Sequence, residues 1–96
     1  MKITGDIPFG TRMRLERVYQ KKTIQDVCDA SGLGHGFVSD LETGKKTRVT
    51  LRTLRLLSRF YGTDILRWAL KGGAVDNGKL LELLKLLRTM EDKDSE

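Results

Sequence analysis

The side chains able to do chemistry are few, and their spacing first serves to exclude. His35 is the single histidine and Cys28 the single cysteine of the 96 residues. No second histidine, cysteine or carboxylate stands near His35 at the spacing of a metal site or a catalytic triad. Asp40, the next acid along, falls off the helical face of His35. No glycine-rich loop followed by a lysine offers a phosphate cradle. The expectation is therefore a protein that is not an enzyme and that uses no metal and no cofactor. The remaining chemistry is charge. Lys45, Lys46 and Arg48 form a dense basic loop, and residues 1–62 hold twelve Lys/Arg against six Asp/Glu. Residues 63–96 hold six against seven, so the net charge of +5 sits in the front of the chain. A basic front with a near-neutral back points to a polyanionic partner for the front.

The elements that must position these residues read as helices, because no stretch alternates apolar and polar residues between turns. Pro8 fits the first turn of a helix carrying Phe9 and Met13 to about Gln20. Thr23 and Asp26 form an approximate capping box for a second helix, with Ile24, Val27 and Cys28 inward and Gly32 as its stop. A third helix covers about His35 to Thr43, with Val38 and Leu41 inside, and Gly44 closes it. Thr50 caps a fourth (Leu51, Leu54, Leu57, Tyr61), and Thr63 caps a short fifth (Ile65, Leu66, Trp68, Ala69). Gly72 and Gly73 read as a flexible joint. The expected organisation is all-α, with one domain over residues 8–71, a C-terminal amphipathic helix over 76–91 and a disordered tail at 92–96. No apolar run approaches a membrane span and the N-terminus lacks a signal peptide's apolar core, so the expectation is a soluble, cytoplasmic protein without a membrane partner. One cysteine excludes an internal disulfide and suits a reducing compartment.

The segment from Thr23 to Gly44 is the informative one. Two short helices joined by a tight, glycine-containing turn make a helix-turn-helix, whose second helix can enter a DNA major groove. The run Thr23-Ile24-Gln25-Asp26-Val27-Cys28, then Ser31-Gly32-Leu33, then Phe37-Val38-Ser39-Asp40-Leu41-Glu42-Thr43-Gly44-Lys45 resembles the Xre/Cro-type repressors. Gly32, Val38, Leu41, Glu42, Gly44 and Lys45 fall at that family's spacing. The similarity continues through Thr50-Leu51-Arg52-Thr53-Leu54 and spans about residues 8–70.

The resemblance implies a five-helix, lambda-repressor-like domain that binds double-stranded DNA as a sequence-specific regulator, a repressor acting as a homodimer on a palindromic operator. Carried over position by position, it implicates His35, Gly36, Ser39 and Asp40 in base contacts. A histidine can donate to a guanine edge, a serine can bond either partner, and an aspartate can accept from a cytosine amino group. It implies phosphate contacts from Gln25, Thr43, Lys45, Lys46 and Arg48, and an Arg17–Glu42 ion pair between the first and third helices. Cys28 takes a small, buried, alanine-like position. Phe37 reads either as a half-buried brace or as a contact to a thymine methyl. The third helix carries no Arg or Lys, so it brings no positive charge to DNA.

Leu80, Leu83, Leu87 and Met90 give the last helix an apolar stripe. It is expected to pair with a second copy; the alternative is that it folds back over its own domain. Two other functional readings stand beside the repressor. One is an antitoxin that represses its own operon, with a toxin as a further partner. The other is an adaptor whose helix-turn-helix surface meets protein rather than DNA, in keeping with Asp40 and a non-basic third helix.

Overall fold

Caps and stops written into the sequence divide the described residues into six α-helices, with no strand among them. The computed structural model describes residues 7–75 and 77–94, the side chains of 77, 80, 87 and 90–94 excepted. The helices are α1 (Phe9–Tyr19), α2 (Ile24–Ser31), α3 (His35–Thr43), α4 (Leu51–Tyr61), α5 (Asp64–Lys71) and α6 (Leu80–Asp94). None of them is long and apolar enough to cross a membrane.

Each boundary has a local cause. Pro8 stands just ahead of α1 in an extended conformation, with its carbonyl accepting from the Arg12 N–H at 3.0 Å. The far end of α1 closes through Lys21, which takes a φ of 60°. The Lys22 N–H then reaches the Arg17 carbonyl at 3.1 Å and the Lys21 N–H reaches that of Val18 at 2.9 Å. These two bonds form a Schellman closure built on a lysine, at the steric cost of a Cβ in the left-handed region. Thr23 and Asp26 make a reciprocal capping box at the start of α2. The Asp26 N–H donates to the Thr23 hydroxyl oxygen at 3.1 Å, and the Thr23 N–H donates to the Asp26 carboxylate at 2.8 Å. The Thr23 N–H, and after it the Thr23 side chain, holds the Asp26 carboxyl below its ordinary value. Thr50 caps α4 through the Thr53 N–H, whereas Thr63 precedes α5 in a helical conformation and makes no capping bond.

Helices α1 and α3 pack together, α3 packs on α2, α2 on α4, α4 on α5, and α5 returns to α1. Inside this ring lie Phe9, Met13, Val27, Cys28, Val38, Leu41, Leu54, Leu57, Tyr61, Ile65, Leu66 and Ala69. Two close approaches between backbones in the ring occur at glycines. A Cβ on Gly10 would overlap the Leu41 carbonyl oxygen and lie 3.2 Å from the Glu42 Cα. A Cβ on Gly72 would sit 2.8 Å from the Phe9 backbone nitrogen.

The C-terminal third differs from the sequence expectation. Gly72 and Gly73 are an ordered closure of α5 rather than a flexible joint. The Ala74 N–H bonds the Ala69 carbonyl at 2.9 Å, and the Ala74 carbonyl accepts from the Val49 N–H at 3.0 Å. Ala74 and Val75 are buried. The chain then makes one 3₁₀ turn over Asn77–Lys79 before α6, so the last helix starts later than expected; Asp76 lies outside the described residues. It also runs on to Asp94, because no glycine or proline follows Gly78 to stop it. Residues 92–94 are thus helical rather than part of a tail, and 95–96 lie outside the described residues.

Helix α6 packs on α4 and α5 of its own chain. Leu83, expected at a seam between two copies, is 4% exposed within this core, while Leu81 and Leu84 are 63% and 53% exposed on the outer side. The ordered turn at Gly73 aims α6 back across the domain. The side chains of Leu80, Leu87 and Met90 lie outside the described residues.

The α1–α3 crossing yields a stability prediction. Gly10→Ala should cost about 3 kcal/mol, the upper end of the usual range for overpacking, because backbone rather than a flexible side chain stands in the way. Urea unfolding should show a lower midpoint at unchanged m-value; an alanine variant as stable as the parent would mean that the two helices do not meet at Gly10.

Candidate nucleic-acid interface

The presentation of α3 begins at the turn before it. Gly32 takes a φ of 83°, a conformation that a side chain would strain. Next to it, Ser31 is fully buried and fastens both sides of the turn. Its hydroxyl donates to the Val27 carbonyl at 2.8 Å and accepts from the Leu33 N–H at 3.2 Å. In the sequence Ser31 stands out only as part of the run that resembles the family, with no structural role of its own. A serine beside a turn glycine was the available signal, since short hydroxyl side chains commonly bond nearby backbone.

The second constraint on α3 is an ion pair. The Arg17 Nε donates to Glu42 Oε2 at 2.8 Å and its Nη2 donates to Oε1 at 3.0 Å, a two-pronged contact between α1 and α3. The side chains are 14% and 3% exposed. The Arg17 Nη1 also donates to the Lys22 carbonyl at 2.8 Å, so the lysine closure of α1 supplies the third acceptor. The hydrogen bond to Glu42 holds the guanidinium above its ordinary value. Tyr61 sits against this network with its hydroxyl on the Met13 carbonyl at 3.2 Å. Burial, and after it the negative charge of Glu42, pushes the phenol well above its ordinary value, so Tyr61 stays a neutral donor. Cys28 is buried, which raises its thiol.

With Val38, Leu41 and Glu42 turned inward, the opposite side of α3 faces out. His35 and Gly36 are exposed, and Ser39 and Asp40 are half-buried. A Cβ on Gly36 would meet nothing within 4 Å, so the glycine leaves open space on the outer face. Asp40 makes no ion pair among the described residues, but its carbonyl is a local anchor. It accepts from the Lys46 N–H at 3.0 Å and from the Thr43 hydroxyl at 3.4 Å, which ties the basic loop to the last turn of α3. Phe37 is half-buried against the core, with the Lys46 ammonium 5.7 Å from its ring centroid. Lys45, Lys46 and Arg48 are exposed, and Arg48 has an interaction of its own. Gln25 lies exposed on the first turn of α2, where its amide donates to the Asp29 carboxylate at 2.8 Å. The structure thus gathers His35, Gly36, Ser39 and Asp40 on one helix, joins Arg17 to Glu42, and occupies the Gln25 side chain locally. No group of three or more His, Cys, Asp or Glu among the described residues could hold a metal ion.

The ion pair generates the next prediction. Glu42→Gln should cost about 3 kcal/mol, because it leaves the Arg17 charge buried and half-satisfied. The double variant Arg17→Met/Glu42→Leu should recover most of that loss, since apolar replacement of a whole buried pair is often neutral. Denaturant unfolding of the three proteins checks this; equal stability of Glu42→Gln and the parent would show that the pair carries no structural weight.

The geometry invites comparison with known proteins. No curated protein and no solved structure matches the chain. The profile of a helix-turn-helix domain family matches residues 8–70, which covers α1 to α4 and nearly all of α5. A match over well more than half of the sequence, on the same two helices and turn that the structure displays, makes the chain a member of the helix-turn-helix domain family.

Proposed function

We propose that this protein is a sequence-specific DNA-binding transcriptional regulator of the Xre/Cro type, a cytoplasmic repressor that binds a palindromic operator as a homodimer. The domain corresponds in this reading to a five-helix lambda-repressor-like unit, followed by α6. The observation that carries the proposal is the outward side of α3. A short helix is clamped from behind by Arg17–Glu42 and presents His35, Gly36, Ser39 and Asp40, with a basic loop tied to its last turn. Bases are read by such a helix, while Lys45, Lys46, Arg48, Thr43 and the start of α2 at Gln25 meet phosphates. The protein acts by occupying DNA rather than by catalysis. Two copies would place their recognition helices about 34 Å apart, one turn of DNA.

The test is selection of bound fragments from a random duplex library, followed by affinity measurements over a range of salt. The proposal expects a palindromic consensus bound in the nanomolar range with a steep salt slope. Asp40, which makes no ion pair among the described residues, favours a second reading, an adaptor that uses the same surface to meet protein, and weak binding without an enriched sequence would select it.

Two variants separate the roles. Lys45→Ala/Lys46→Ala should weaken binding to every duplex and lower the salt slope by up to about two units. Ser39→Ala should change the selected sequence and leave non-specific binding as it was. If both variants act alike, α3 is not the element that reads bases.

A further inference from the structure

From Thr43 to Thr63 the chain holds six cations and no acid: Lys45, Lys46, Arg48, Arg52, Arg55 and Arg59. That exceeds the net charge of the whole protein, +5. The last three belong to α4. Spacings of three and four residues put them on one side of the helix, opposite the buried Leu54, Leu57 and Tyr61. All three are exposed, and none makes an ion pair or a side-chain hydrogen bond among the described residues. Like charges at this spacing cost a helix a few tenths of a kcal/mol per pair. Nothing among the described residues compensates that cost.

Helix α3 presents the converse. It has two acids and no Lys or Arg, and among the described residues Glu42 is paired and Asp40 is not. The helix placed to read bases therefore brings no attraction for a polyanion, and the attraction must come from elsewhere on the protein. The basic loop links the two regions and is pinned at both ends, by Lys46 to Asp40 and by Val49 to Ala74, each at 3.0 Å. Helix α2 packs on both α3 and α4, so it couples the helix that carries the arginines to the one that carries His35, Gly36, Ser39 and Asp40. Arg52 to Arg59 covers about 10 Å of helix, and one DNA strand offers a phosphate every 3.4 Å or so of axis, which matches three guanidiniums to about three phosphates. Guanidinium is also the cation whose planar fork fits phosphate oxygens in pairs.

We propose that Arg52, Arg55 and Arg59 hold the DNA backbone outside the stretch whose bases α3 reads, so that affinity resides along α4 and sequence choice on α3. The inference rests on the DNA-binding reading above and adds to it a second backbone footprint on flanking DNA.

The experiment compares the full chain with Arg52→Gln/Arg55→Gln/Arg59→Gln on the selected site, embedded in a duplex of minimal length and in one with extended flanks. The parent should gain affinity from the flanks. The variant should gain none, and its salt slope should be shallower by up to about 2.7 units, since each phosphate no longer neutralised removes about 0.9. The selected consensus should not change. An Arg→Lys triple variant, which keeps the charge, should retain most of the slope; its loss along with the glutamine variant would point to folding and overturn the assignment. If the parent binds DNA while the glutamine variant keeps the same slope and the same flank gain, the strip does not touch DNA and serves a protein partner instead. If the parent binds no duplex, the DNA reading itself falls, and this inference with it.

Discussion

The presentation of α3 depends on one partly buried ion pair. Arg17 reaches from α1 to hold Glu42 by two hydrogen bonds, and its third donor holds the Lys22 carbonyl at the end of its own helix. A carboxylate at 3% exposure is costly to bury without a partner, so α3 cannot rotate or slide without breaking these contacts. Gly10 fixes the same crossing from its other side by letting the α1 backbone meet the Leu41 carbonyl. Close packing at one point and directed charge at another define both the distance and the angle of α3.

That constraint holds in place a helix that has acids but no Lys or Arg. A helix with no Lys or Arg, whose Asp40 makes no ion pair among the described residues, offers no general attraction to DNA, so in the proposed reading it discriminates only if something else holds the molecule in place. The loop after α3 and the outer side of α4 carry cations without acids, and the bond from Lys46 to the Asp40 carbonyl ties that loop to the last turn of α3. In the proposed reading, base recognition and backbone attraction are divided between neighbouring elements that the shared core holds together.

Much of the helix-turn-helix was legible because its signals are local. Thr23 with Asp26, Thr50, Gly32 and Gly44 act on residues within one turn of themselves, so a reader of the sequence meets cause and effect together. The Arg17–Glu42 pair was reached only through resemblance, since 25 residues separate the partners. The structural weight of Ser31, Lys21 and Gly10 was not legible. Ser31 matters because it is buried, Lys21 because its backbone turns left-handed, and Gly10 because another helix passes over it. None of these conditions is a property of residue type.

The sequence by itself determined the helices, the turn between α2 and α3, and the concentration of positive charge in the front of the chain. Periodicity, capping and net charge act along the chain, over a few residues at a time. Only the tertiary structure decided where α6 goes and which of its leucines face water. An amphipathic stripe states that one side must be covered, not by what, and the ordered closure at Gly73 turns Leu83 into the domain's own core and leaves Leu81 and Leu84 outside. The tertiary structure also decided that Gly72 is a contact rather than a hinge, because the α1 backbone stands where a Cβ would go.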